Sequence, residues 1–194
     1  MAQVLKEEIR QAIIRSAEIE FAQSGYMRAS VKQIAARVGI SVGNLYRYYK
    51  DKEDLFHSVV SPVYYELETL IGNHHAQPTG QGNIIEQIVE ALSHIVDEYR
   101  TPLLILIDGA GGTRHENAIR KFYQTMANQV AMHLADYDTK GKEGLITPVA
   151  WPVSVAFLQG YFEIIRHHED NEDCKRLIRD YLIVWFQGLQ AILE

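Results

Sequence analysis

The stretch Val31-Lys32-Gln33-Ile34-Ala35-Ala36-Arg37-Val38-Gly39-Ile40-Ser41-Val42-Gly43-Asn44-Leu45-Tyr46-Arg47-Tyr48-Tyr49-Lys50 decides the fold. Ile34, Val38, Ile40 and Leu45 are spaced so that two short helices cross over one apolar core. Ala35 is small where the second helix must come close. Gly39 falls at the turn, where a positive φ is easiest for glycine. Ser30 with Gln33 has capping-box form, and Ser41 offers a second N-cap hydroxyl. The spacing predicts one helix from Ser30 to Val38 and another from Ser41 to near Tyr49. That is a helix-turn-helix over 31–50, the motif that lays its second helix in the DNA major groove. The competing reading is a plain helical hairpin with its tyrosines inside. Tyr49 and one face of Tyr46 are expected in the local core beside Phe21 and Phe56.

The second helix carries the chemistry of a reading surface. Ser41, Val42, Gly43 and Asn44 form its N-terminal end, which meets base edges. Val42 suits a thymine methyl and Asn44 suits adenine. Gly43 lets the backbone approach closely. Tyr46, Arg47, Tyr48 and Lys50 offer hydroxyl and cationic groups to phosphate. Ser30, Lys32 and Lys52 put helix N-termini and positive charge against the same backbone.

The whole chain, 194 residues with a formal charge of −6, argues against a nucleic-acid partner only if that charge is evenly spread. It is not. Residues 1–60 hold nine basic and seven acidic groups, a net +2, and 61–194 hold ten and eighteen, a net −8. Within 21–50 stand five bases and no acid. A single cysteine excludes an internal disulfide framework and a cysteine-based zinc cluster. The polar start reads as no signal peptide, and a reducing cytoplasm is the expected compartment.

Outside the motif the pattern is helical throughout. Leu5, Ile9, Ile13, Ala17 and Phe21 recur every four residues, which predicts a helix over 5–24 closed by Ser24-Gly25. A fourth helix is expected from the Asp51 N-cap to about residue 72, with Pro62 as a kink or a hinge inside it. Residues 73–83 read as a loop. Further helices are expected at 84–100, 102–108, 115–136, 149–168 and 172–193. Thr101-Pro102, Thr147-Pro148 and the Thr113-to-Glu116 capping box mark starts. The expected fold is all-α, about nine helices in all.

Gly25-Tyr26, Ser30 to Ala35, Val38 to Ser41, Gly43 to Tyr49 and Lys52-Glu53-Asp54-Leu55 together resemble the N-terminal domain of TetR/AcrR-type transcriptional regulators. The resemblance covers about residues 6–60; beyond it only helix number and length are similar. It implies a three-helix DNA-binding domain over 1–50 and a helical-bundle ligand-binding and dimerisation domain over 51–194. It also implies a homodimer, usually a repressor, released from a palindromic double-stranded DNA operator by a small ligand. Lys52 and Tyr46 match the family's phosphate-contacting lysine and tyrosine. Tyr49 stands where the family often has phenylalanine.

The last two helices are apolar over more than one face, which suits either a plain monomeric core or, as expected here, a four-helix interface between two copies. Phe157, Tyr161, Ile178, Tyr181, Leu182, Trp185 and Leu189 are the expected interface residues, and Gly160 and Gly188 would permit close helix approach. A membrane helix over 145–165 is opposed by Pro148, Pro152, Gln159 and Glu163. The body's candidate pocket residues are Tyr64, Tyr65, Asp108, Phe122, Tyr123 and Trp151. Leu103-Leu104-Ile105-Leu106-Ile107-Asp108-Gly109-Ala110-Gly111-Gly112 admits a second reading, a buried strand running into a nucleotide-binding loop of a helical small-molecule-binding protein or enzyme. No other parallel strand supports it, so a helix ending at a glycine-rich turn is expected. Histidine pairs such as His74-His75 and His167-His168 are read as solvated, and Glu163 with His167 is only half a metal site. No metal, cofactor or catalytic residue is expected.

Overall fold

A computed structural model describes the backbone of residues 2–73, 84–138 and 147–193. The loop expected over 73–83 lies outside these residues, apart from Asn73, which closes a helix. The described residues form eight α-helices and one short 3-10 turn, with no strand. They divide into two compact units, one of Met1–Tyr65 with Thr101–Ala118 and one of Glu66–Arg100 with Ile119–Glu194.

The first unit holds α1 (Ala2–Arg28), α2 (Val31–Val38), α3 (Val42–Leu45) and the first part of α4 (Lys52–Asn73). The end of α5 (Ile84–Asp108) and the turn after it complete the unit. Ile13, Ala17 and Phe21 of α1 are fully buried, as their spacing requires. Gly25 breaks the helix with φ 63°, at the expected closure, and a further turn runs to Arg28. Phe21 and Tyr26 pack edge-on and tilted around Phe56 and each other, the Phe21–Phe56 ring centroids lying 5.0 Å apart. Asp51 accepts the Asp54 N–H at 2.8 Å, and Asp54 accepts the Lys50 N–H at 3.0 Å, so the start of α4 is capped from both sides. The helix continues through Pro62.

The two helices expected at 84–100 and 102–108 form one element, broken at Tyr99 (φ −132°, ψ 20°), just before Pro102 removes a backbone donor. The segment from Leu103 is helical to Asp108 and then turns, so the strand reading is overturned there. Its glycines meet α1. Tyr26 N–H donates to the Gly109 carbonyl at 2.9 Å. A Cβ on Gly109 would stand 2.9 Å from the Ile105 oxygen and 3.4 Å from the Gly25 Cα. The backbones touch because neither residue has a side chain.

The next helix, α6 (Ala118–Asp138), begins three residues later than expected. The Thr113 hydroxyl accepts the N–H of His115 at 3.0 Å and donates to the Ala110 carbonyl at 2.7 Å. It therefore makes a local turn instead of capping residue 116.

The second unit also contains a 3-10 turn (Thr147–Val149), α7 (Ala150–His167) and α8 (Asn171–Leu193). Leu158, Tyr161, Phe162 and Ile165 of α7 and Cys174, Ile178 and Leu182 of α8 are buried, with Val89, Leu92, Ile95 and Val96 of α5. The Tyr161 hydroxyl donates to the Leu92 carbonyl at 2.9 Å, and its complete burial pushes its ionisation far up. Arg100 donates to the carbonyls of Ile165 and His168, satisfying the C-terminal end of α7, and lies 3.5 Å from the Cys174 sulfur. Cys174 is buried and donates to the His168 carbonyl. Arg179 of α8 grips Glu86 of α5 through two bonds of 2.8 and 3.1 Å.

Candidate nucleic-acid interface

The turn between α2 and α3 is built as the glycine demands. Gly39 takes φ 75°, and the N–H groups of Gly39 and Ile40 return to the carbonyls of Ala36 and Ala35 at 3.1 and 3.0 Å. Such paired bonds close a helix and redirect the chain within three residues. Ser30 accepts the Gln33 N–H at 3.4 Å, and Ser41 accepts the Asn44 N–H at 3.1 Å, so both expected caps form. Ile34, Ala35 and Leu45 are buried between the helices.

The reading helix is shorter than its sequence suggests. Its α-helical part ends at Leu45, and Arg47 and Tyr48 continue with bonds of the tighter i to i−3 kind. This last turn carries Tyr49 inward, where it is buried with the Arg10 guanidinium 5.5 Å from its ring centroid.

The outward groups are Ser41, Gly43, Tyr46 and Arg47, all exposed, with Val42, Asn44 and Tyr48 half-buried beside them. A Cβ on Gly43 would meet nothing closer than the Ser41 hydroxyl at 4.0 Å, so the backbone there is bare. Lys32 is exposed and Ser30 half-buried. Tyr46 is 43% exposed, so more of it faces outward than one free ring face.

Lys52 is held more tightly than a free surface cation. Its ammonium donates to the carbonyls of Ala29 and Met27 at 3.2 and 3.4 Å and lies 4.5 Å from the Tyr26 ring centroid. Desolvation lowers its pKa. It closes the end of α1, which leaves a cation half-buried beside the N-terminus of α2.

Four interactions of this unit are not evident from the sequence. Glu20 of α1, 3% exposed, accepts the Ser30 N–H at 2.9 Å with one oxygen and the Arg37 guanidinium at 2.9 Å with the other. Arg37, one of the five bases of the acid-free stretch, is therefore neutralised from outside it. His57 Nδ1 lies 2.9 Å from His115 Nε2, and beside them Arg114 donates to Glu53 through its backbone and side chain at 2.9 and 3.2 Å. These two hydrogen bonds hold Glu53 below the usual carboxylate range. Separations of 17 to 61 residues hide such pairs from any local pattern.

Residues 13–59 match the family profile described as bacterial regulatory proteins, tetR family. Over 95 residues the chain is 30% identical to the HTH-type transcriptional regulator HbdR of Aromatoleum sp. (strain CIB), covering 49% of this chain and 38% of HbdR. Over 105 residues it is 29% identical to the HTH-type transcriptional repressor BepR of Brucella suis biovar 1, covering 52% of this chain and 49% of BepR. The N-terminal segment is a tetR-family domain. Its matches span half or less of the length of these curated relatives. A likeness of fold extends over most of the chain. NalD of Pseudomonas aeruginosa, the secondary repressor of the MexAB-OprM multidrug efflux pump, superposes with a TM-score of 0.65 at 22% identity. The match covers 94% of this chain and 96% of NalD.

The residues expected at a TetR/AcrR-type dimer interface separate into two sets. Tyr161, Ile178 and Leu182 are buried in the chain's own core. Phe157, Tyr181 and Trp185 are half-buried and form a ring cluster with centroids 5.6 to 6.0 Å apart, beside the exposed Val184. The Tyr181 hydroxyl donates towards the carbonyls of Ala156 and Phe157 at 2.9 Å, over Gly160, where a Cβ would meet that oxygen at 2.2 Å. Gly160 thus admits a tyrosine from α8. The side chain of Leu189 lies outside the described residues.

The candidate pocket residues fall in both units. In the first, Tyr64 packs on Tyr65 and on His115 with centroids 5.3 and 5.2 Å apart, Tyr65 is exposed, and Asp108 is exposed at the end of α5. In the second, Phe122 is buried, and the Tyr123 hydroxyl donates to Gln159 at 2.8 Å with its ring against Trp151. Among the described residues no three His, Cys, Asp or Glu side chains are placed to hold a metal ion. Glu163 and His167 bond to each other at 3.1 Å. No helix of the described residues is long and apolar enough to cross a membrane.

Proposed function

We propose that the chain is a sequence-specific DNA-binding transcriptional repressor. The observation that carries this reading is the presentation of α3. Its N-terminal turn is capped by Ser41 and bare at Gly43, while Leu45 anchors it from behind. Ser41, Val42, Gly43 and Asn44 read base edges; Tyr46, Arg47, Tyr48, Ser30, Lys32 and Lys52 hold phosphates. Residues 1–50 act as the DNA-binding domain, and 51–194 bind a small effector and dimerise in the cytoplasm. Two copies join through the α7–α8 face at Phe157, Tyr181 and Trp185, so the operator is a palindrome with half-sites on successive major grooves. The effector favours a conformation that no longer fits both half-sites. The repressor names of BepR and NalD favour repression over activation.

The test is a gel-shift titration of the full chain on the upstream DNA of its own gene, repeated over a salt series. Specific binding should weaken steeply with salt, because each neutralised phosphate releases counterions. Equal affinity for this DNA and for scrambled DNA would reject the reading.

A further inference from the structure

We propose that Glu20 is a positioning residue: it fixes the pose of the reading helix through α2 and touches no nucleic acid itself. The importance of that pose for DNA rests on the function proposed above; its mechanical part does not.

On its own α3 is weakly held. The helix is four residues long, and Leu45 is its one buried residue. Its orientation is therefore inherited from α2 through the turn at Gly39 and Ile40. The packing of α2 on α1 is apolar at Ile13, Ala17, Ile34 and Ala35, all 1% exposed or less. Apolar contact is non-directional and does not by itself select one rotation or one axial register. Hydrogen bonds do, because they weaken steeply with misalignment.

Glu20 supplies two such bonds to opposite ends of the same helix. One oxygen takes the backbone N–H of Ser30, the N-cap, and the other takes Arg37 in the last turn, each at 2.9 Å. One turn earlier on α1, Ser16 donates to the Ile34 carbonyl at 3.1 Å, between those ends. A helix gripped at its first residue, its middle and its last turn can neither roll nor slide. The Glu20 side chain is 4% exposed and that of Arg37 34%. Such pairs are poor stabilisers: replacing a buried ion pair by apolar side chains is often neutral or favourable. Stability therefore does not account for a buried carboxylate here, whereas register does.

The proposal predicts that stability and recognition separate. In the full chain, the double variant Glu20→Leu with Arg37→Leu should lower the melting temperature by no more than about 5 °C, the loss coming from the Ser30 N–H left without its acceptor. The backbone N–H groups of Leu45 and Tyr46, bonded to Ser41 and Val42, should nevertheless exchange with solvent at least tenfold faster. Binding to a DNA fragment selected by the wild-type chain from a random pool should fall by about ten- to hundredfold, the scale of one lost base contact. Glu20→Gln, which keeps an acceptor for Ser30 and loses the charge facing Arg37, should fall between wild type and double variant in both readouts. Unchanged exchange at Leu45 and Tyr46 would overturn the proposal. So would losses of melting temperature and exchange protection in parallel across both variants, the behaviour of a merely structural pair. If the wild type selects no DNA, the function proposed above fails, and the exchange measurement still decides the role of Glu20.

Discussion

His57 Nδ1 and His115 Nε2 stand 2.9 Å apart with ring planes within 14° of each other. The centroid separation of 5.1 Å is about that distance plus the two ring radii, so the imidazoles meet edge to edge, one nitrogen donating to the other. His115 is 7% exposed, and its ring also packs against Phe56 and Tyr64. Replacing His57 by Ala removes a hydrogen bond from a buried ring, which should cost about 1–3 kcal/mol at neutral pH. Urea unfolding followed by circular dichroism measures this, and a loss below about 0.5 kcal/mol would place the bond among the negligible ones.

Lys52 and Arg47 should respond differently to removal. Arg47 is exposed, so Arg47→Ala should leave the melting temperature in place while lowering DNA affinity and reducing the salt slope by about one. Lys52 closes the carbonyl end of α1 and covers Tyr26. Lys52→Ala should therefore lower both melting temperature and DNA affinity. Parallel calorimetry and gel shifts compare the two, and an unaltered melting temperature for Lys52→Ala would show that its carbonyl contacts carry no stability.

The glycine-rich turn offers an internal control. A methyl on Gly109 would press on the Ile105 oxygen and on Gly25, whereas one on Gly111 would meet nothing within 4 Å. Gly109→Ala should separate the two backbones, break the Tyr26–Gly109 bond and destabilise by about 1–3 kcal/mol. Gly111→Ala should be neutral or slightly stabilising, within about 1 kcal/mol. Chemical denaturation of both variants side by side checks the contrast, and equal midpoints would refute it.

Acidification should reach the Glu53–Arg114 contact through Glu53. Bonds from the Arg114 backbone and side chain hold its folded pKa below the ordinary value, so the unfolded chain takes up the proton first. The contribution is present above the ordinary glutamate value of about 4.3 and disappears as pH falls through the lower folded value. The melting temperatures of wild type and Glu53→Gln should differ at pH 7 and converge in strong acid. A difference that persists unchanged below pH ~3 would assign it to something other than this carboxylate.

What the sequence disclosed was local. Ser30, Ser41, Gly39 and Asp51 act within four residues of themselves, so the caps and the turn could be read directly. The misreadings arose where a local signal had a second use. The Thr113 hydroxyl serves a turn, and α6 starts late. Tyr161, Ile178 and Leu182 lie on apolar stripes that the chain's own core consumes, which periodicity cannot separate from a stripe awaiting a partner. Glu20, Arg37, His57 and His115 were invisible because a charge or an imidazole looks solvated until its distant partner is known.

The bond from Tyr26 to Gly109 also has a meaning in time. Unit one is closed by a segment encoded some forty residues after Tyr65. A ribosome adding about 5–20 residues per second must therefore run on for seconds after the helix-turn-helix has emerged before α1, Gly109 and His115 can meet. Until then His57 lacks His115 and the Tyr26 N–H lacks the Gly109 carbonyl. A gene fragment ending at Tyr65 would hold the nascent protein in that state permanently, with the reading helix intact in sequence and its support missing.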